Sequence, residues 1–178
     1  MEKGVVIWLT GLPGSGKTTV AEKLVAILRK KEAKVEMLDG DQVRKWLSPE
    51  AGFSKEDRER HLIRVAHVSR LLARNEVIVV ASFVSPYRNV RKRIRDIVEE
   101  EEGLSFLEVY AKCSVDTCIK RDPKGLYKKA LRGEIKNMTG IDDPFEDPLE
   151  PEVIIDTENE SPDISANHIL KTLEKPDN

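Results

Sequence analysis

The sequence predicts an α/β domain built on a doubly wound parallel sheet, and three observations carry that prediction. Five short runs of β-branched and apolar residues are spaced along the chain, segments with a 3.6-residue apolar period separate them, and a glycine-rich loop directly follows the first run. Apolar runs that do not alternate cleanly suit strands buried on both faces of a parallel sheet. Alternating strands and helices then call for right-handed crossovers, with helices on both faces. At 178 residues the chain makes one domain whose core needs neither disulfides nor metal.

The first run spans residues 5–10, and the helix after it carries the stripe Val20, Leu24, Ile27 and Leu28. The second, 35–38, ends in "LDGDQVR", where a turn and a helix cap at Asp41 are the plain local reading. A helix with the stripe Leu62, Val65, Ser69 and Leu72 leads to the third run, 77–81. After it, "SP" reads as an N-cap at Ser85 with Pro86 at the first helical position, opening a helix with the stripe Val90, Ile94, Ile97 and Val98. The fourth run is 106–111. Residues 121–151 resist the pattern: they are rich in charge, Gly and Pro, with a short helical piece at 127–131. A stretch of that length is a functional lid or a disordered segment. The fifth run, 153–155, precedes a last helix at 162–173 and a frayed end.

Lys and Arg number 30 against 32 Asp and Glu, a formal charge of −2 that offers no global field for nucleic acid or an anionic membrane. Cys113 and Cys118 are too few for a secreted disulfide scaffold and have no His or Cys cluster beside them, so structural thiols are expected and zinc is not. No apolar run approaches the roughly 20 residues of a membrane helix, and "MEKGVVIWLTG" lacks the features of a signal peptide. A cytoplasmic location is expected.

Gly11, Gly14, Gly16, Lys17 and Thr18 fit G-x-x-x-x-G-K-[ST] between a predicted strand and a predicted helix. Such a loop, here Gly11, Leu12, Pro13, Gly14, Ser15, Gly16, Lys17, Thr18 and Thr19, turns backbone N–H groups onto phosphate oxygens. Lys17 adds a point charge, the helix N-terminus adds a favourable dipole, and Thr18 is the expected Mg²⁺ ligand. A nucleotide with Mg²⁺ is therefore expected. The motif leaves the fate of the γ-phosphate open. The third run, "VIVVASF", lacks the Asp that usually serves the metal, whereas Asp39 and Asp41 stand at the carboxyl end of the second, where ligands bind in such sheets. One of the pair would serve the metal side and the other an attacking hydroxyl.

With these residues the chain resembles the adenylylsulfate (APS) kinase family. The blocks are "GVVIWLTGLPGSGKTT", "LDGDQVR", "GFSKEDR", "FVSPYR" and "RDPKGLYKKALRGEIKNMTGIDDPFEDP", and they run over nearly the whole chain. The resemblance implies a P-loop NTPase three-layer fold, with a parallel five-stranded sheet, helices on both faces and a mobile lid at about 121–151. It implies transfer of the γ-phosphate of ATP to the 3′-hydroxyl of APS, giving PAPS and ADP, by a homodimer. Carried over by position, Lys17, Asp39, Asp41 and Ser85 are the implied catalytic residues, with Thr18 and Asp41 on the metal. Arg121 joins the nucleotide site; Arg44, Phe53, Arg58, His61, Phe83, Val84 and Ser85 join the APS site, as do Lys124, Gly125, Leu126, Met138, Thr139 and Gly140. A sulfate–phosphate anhydride calls for guanidinium forks and a purine for an apolar face, which matches Arg44, Arg58 and Phe53.

Three departures from the family pattern stand out. His61 replaces an Asn, which implies a charge below a pKa near 6.5 and an APS affinity that varies with pH. Met138 replaces an aromatic, so the adenine is clamped by Phe53 and a thioether. The sequence starts at the first strand, where many members carry an extension. Two other classes stay open: a P-loop kinase for a nucleoside monophosphate or sugar acid, which leaves "FVSPYR" and "GFSKEDR" unexplained, and a regulatory domain that binds ATP without transfer.

Overall fold

The computed structural model describes residues 4–174; the frayed end expected after the last helix lies outside them. Its elements run β1 (Val5–Thr10), α1 (Lys17–Lys30), β2 (Val35–Asp39), α2 (Gly40–Leu47), α3 (Lys55–Ala73), β3 (Ile78–Ser82) and α4 (Arg88–Glu99), then β4 (Ser105–Lys112), α5 (Val115–Arg121), α6 (Leu126–Leu131), β5 (Val153–Asp156) and α7 (Pro162–Leu173). Among the described residues the strands form one parallel sheet in the order β2-β3-β1-β4-β5.

Alternation along β1 builds the three layers, since successive side chains point to opposite faces. Val6 and Trp8 join Val79 and Ala81 under α3 and α4, packing on Leu62, Val65, Val90 and Ile94. Ile7 and Leu9 face the other way, onto Val20 and Leu24 of α1 and Ile169 of α7. The helical stripes read from the sequence are the buried faces of these helices. The register sets Ser82 of β3 beside Leu9 on one flank and Asp39 on the other, which brings three strand ends to one edge of the sheet.

Residues 121–151 are rooted in the body by packing and hydrogen bonds. A third apolar cluster joins Leu12, Cys113, Cys118, Tyr127 and Met138, and the Tyr127 hydroxyl donates to the Pro13 carbonyl at 2.8 Å. The Asp122 carboxylate accepts the N–H groups of Tyr127 and Lys128 at the start of α6. Both thiols are buried, and burial with the neighbouring Cys113 pushes the Cys118 thiol up to about 12, as inert structural thiols require.

Two caps differ from the sequence reading. α4 starts at Arg88, not behind Ser85, and the cap position is Tyr87. The Glu146 carboxylate serves the Arg88 N–H at 2.7 Å instead. Ser85 is buried at a positive φ of 38°, and its hydroxyl pairs with Trp8 and Thr10 instead of the helix end. α2 is capped by Asp39, whose Oδ1 accepts from the N–H groups of Asp41 and Gln42, while Asp41 sits inside the first turn. α7 starts at Pro162, where the sequence places it, and the structure adds a cap at Ser161.

Candidate active site

A cleft of about 1050 Å³ opens along the carboxyl edge of β1, β2 and β3. Pro13, Gly14, Gly16, Lys17, Thr18 and Thr19 line one end of it. Two glycines shape that end for different reasons. A Cβ on Gly11 would come within 2.7 Å of the Ala111 carbonyl oxygen, so only a glycine lets the loop leave β1 so close to β4. A Cβ on Gly16 would meet Thr157 and Arg121 only at ordinary contact distance, but the residue caps α1 at φ 87°, a conformation costly for any L side chain. Lys17 lies within this loop and donates to the carbonyls of Gly11 (2.9 Å) and Leu12 (2.7 Å). Burial lowers its pKa to about 8.

The two carboxylates both line the cleft but take different partners. Asp39 Oδ2 accepts from the Thr18 hydroxyl at 3.1 Å, and that hydroxyl lies 3.4 Å from Ser82 Oγ. Asp41 pairs with Lys124 of the 121–151 segment. The carboxylate beside the Thr18 hydroxyl is thus Asp39, whereas the position-by-position reading names Asp41 for the metal. Hard oxygen donors few in number, a hydroxyl and a carboxylate, fit Mg²⁺, which keeps most of its shell for water and phosphate. No cluster of three or more His, Cys, Asp or Glu side chains suited to a metal occurs among the described residues.

The far wall carries Arg44, Phe53, Arg58, His61, Met138 and Thr139. Phe53 is 66 % exposed, so it is no core residue. Arg44 holds it: the guanidinium carbon stands 4.7 Å from the ring centroid, and Nη2 donates to the carbonyls of Ala51 and Gly52. Arg58 reaches across to the 137–143 turn, donating to Thr139 Oγ1 and Asp143 Oδ2 at 2.9 Å each and to the Asn137 carbonyl. Neither arginine is a solvated surface charge.

His61 corrects the expectation of a pH-dependent charge. It is 4 % exposed, with Nδ1 2.9 Å from Ser48 Oγ and Nε2 without a partner among the described residues. Burial, followed by the positive charges of Arg44 and Arg64, lowers its pKa to about 4, so the ring is neutral at working pH.

Phe83, Val84, Ser85, Arg121, Lys124 and Leu126 also line the cleft. Ser85 Oγ, however, accepts from Trp8 Nε1 at 3.0 Å and donates to Thr10 Oγ1 at 2.9 Å, so its proton is committed within the core. Arg121 donates to the Thr157 carbonyl at 2.7 Å. Gly11, Ser15 and Gly125 contribute backbone and lie off the lining; Leu12 and Gly140 face a smaller neighbouring cavity. The sequence reading misses Trp8, Ser82, Tyr127, Asp143 and Thr157. Asp143 sits in the quoted block "TGIDDPFEDP", where the second Asp was the available signal.

The sequence model of the family described as adenylylsulphate kinase matches residues 3–156. A probable adenylyl-sulfate kinase of Aeropyrum pernix is 55 % identical over 97 % of this chain and 94 % of its own length. The adenylyl-sulfate kinase of Oceanobacillus iheyensis is 47 % identical over 96 % of the chain and 84 % of its own length. Among solved structures, the APS kinase of Mycobacterium tuberculosis in complex with AMPPNP and APS superimposes with a TM-score of 0.94, at 37 % identity, covering 98 % of this chain and 100 % of that one.

Proposed function

The chain belongs to the adenylylsulphate kinase family, and from that premise we infer that it transfers the γ-phosphate of ATP to the 3′-hydroxyl of APS, releasing PAPS and ADP. One observation carries the reading to residues: a single cleft joins the P-loop, with Lys17 and Thr18, to a wall of guanidinium and apolar groups, with Asp39 and Asp41 between them.

In this reading the Gly11–Thr19 loop and Arg121 hold ATP, and Lys17 meets the β- and γ-phosphates. Thr18 and Asp39 would hold Mg²⁺, whose chemistry is to neutralise charge on the transferring phosphoryl group. Arg44 and Arg58 take the phosphosulfate, and Phe53 and Met138 grip the adenine. Asp41 stands at the 3′-oxygen and receives its proton as the new O–P bond forms and the bond to ADP breaks, while Asp39 serves the metal side. The 121–151 segment acts as the lid: Lys124 brings it to Asp41, and closure excludes the water that would otherwise accept the phosphoryl group. His61, Phe83, Val84, Thr139 and the backbone at Gly125, Leu126 and Gly140 complete the acceptor pocket. No helix of the described residues is long and apolar enough to cross a membrane, and we propose a cytoplasmic homodimer.

ADP release should be followed with APS, AMP, GMP, gluconate and shikimate in parallel, with and without Mg²⁺. Turnover with another acceptor and none with APS overturns the reading. Light scattering that gives one protomer's mass overturns the dimer.

A further inference from the structure

Three segments far apart in sequence meet at the Asp143 carboxylate. Arg58 reaches it from α3 at 2.9 Å, and the Tyr87 hydroxyl, from the β3–α4 connection, donates to both of its oxygens at 2.9 Å. Asp143 itself belongs to the 137–143 turn, closed by the Gly140 N–H on the Asp143 carbonyl (2.8 Å) and by the Asp143 N–H on the Met138 carbonyl (3.2 Å). Tyr87 is part of the main core, so its hydroxyl is a fixed point against which the carboxylate is set. Burial, with the Asp143 bond, pushes the phenol up to about 12, so it stays a donor at any working pH.

An arginine has five N–H donors in a rigid plane. Arg58 spends both Nη1 hydrogens on Thr139 and Asp143 and one Nη2 hydrogen on the Asn137 carbonyl. Nε–H and the second Nη2–H have no protein acceptor among the described residues, and the side chain lines the cleft. The plane of the guanidinium is therefore set from behind, and its unused edge is what the cleft sees. Without Asp143 the side chain has several rotamers to choose from and stands near a second cation, Arg44.

We propose that Asp143, backed by Tyr87, is a positioning residue that orients Arg58 toward the phosphosulfate of APS and holds the turn carrying Met138 against the acceptor. The proposal rests on the reading of APS as acceptor and Arg58 as its anion ligand. Asp143 touches no substrate in this scheme. It acts on acceptor binding and leaves the ATP end alone, because Lys17, Thr18 and Arg121 belong to other elements.

The test is steady-state kinetics with each substrate varied at saturating concentration of the other. The unaltered protein is assayed first: no turnover with APS overturns the functional reading, and this inference with it, whereas the variants below address the inference alone. Asp143→Ala should raise the KM for APS about tenfold, with kcat and the KM for ATP within about twofold. Asp143→Asn, which keeps an acceptor for Tyr87, and Tyr87→Phe should each raise it about threefold. Tyr87→Phe added to Asp143→Ala should change nothing further, since the phenol acts through the carboxylate. An unchanged KM for APS in Asp143→Ala, equal rises for both substrates, or additive effects in the double variant would overturn the proposal. If Asp143→Ala does not fold, Asp143→Asn and Tyr87→Phe decide by the same split between substrates.

Discussion

The indole N–H of Trp8 donates to the hydroxyl of Ser85 at 3.0 Å, inside the core and at the edge of the cleft at once. That hydroxyl also donates to Thr10, and the Ser85 carbonyl receives Arg91 Nη1 at 2.7 Å. Ser85 is therefore a joint between β1, β3 and α4. Ser85→Ala leaves a buried indole N–H unpaired and should cost about 1–3 kcal/mol, a fall in Tm of about 2–4 °C per kcal/mol for a domain of this size. In-line transfer needs no covalent carrier, so turnover should persist within about tenfold and rapid-quench mass spectrometry should find no phosphoserine. Abolished turnover with Tm and APS binding intact would show that the hydroxyl is chemically required.

Asp39 combines two tasks that a conservative variant separates. Asp39→Asn keeps an oxygen for the Asp41 and Gln42 N–H groups, so α2 should stay capped and Tm nearly unchanged. The charge beside Thr18 is lost, and turnover should fall by about 100-fold or more, with a higher Mg²⁺ requirement. A magnesium titration of initial rates checks this; unaltered rates would place the cation elsewhere.

His61 makes acid stability, not APS affinity, depend on pH. Its folded pKa of about 4 lies below the ordinary value of 6.5. The unfolded chain thus binds the proton more readily between these values. The group's contribution is present in full above 6.5 and is lost as pH falls toward 4. Urea unfolding from pH 4 to 7 should show His61→Asn less acid-sensitive than the unaltered protein, while the KM for APS stays flat from pH 6 to 8 as far as this ring is concerned. An APS KM that rises or falls through pH 6.5 in the unaltered protein and not in His61→Asn would contradict the neutral ring.

Lys17 sets the opposite boundary. Burial lowers its pKa to about 8 from 10.5, so between those values the unfolded chain binds more protons, and this group favours folding increasingly as pH rises through that window. ATP needs the charged form, so nucleotide affinity should weaken above pH 8. Titration of a fluorescent ATP analogue from pH 6.5 to 9.5 should show that decline, with Lys17→Met weak and flat. A decline of equal size in Lys17→Met would assign the titration to another group.

Much of this molecule was legible in the chain before folding. The β1 run, the stripes Val20–Leu24–Leu28 and Val90–Ile94–Val98, and the loop from Gly11 to Thr18 are local patterns, and each reappears as a buried face or as the cleft's phosphate end. The caps at Ser85 and Asp41 misled because a local rule competes with partners that sequence distance conceals. Trp8 lies 77 residues from Ser85, and the Glu146 carboxylate that serves the α4 start lies 58 residues from Arg88.

By itself the sequence determined a parallel α/β sheet, a P-loop behind its first strand, and the block order shared with one kinase family. These follow from backbone periodicity, from the freedom of glycine and from residue spacing, all of which act over a few turns of chain. Only the tertiary structure decided that Asp39 and not Asp41 meets Thr18, that His61 is buried, that the Ser85 hydroxyl is engaged in the core, and that Arg58 pairs with Asp143. Each of these is a matter of desolvation or of a hydrogen bond between distant segments, and such terms have no value until the sheet register and the packed helices bring the partners within about 3 Å.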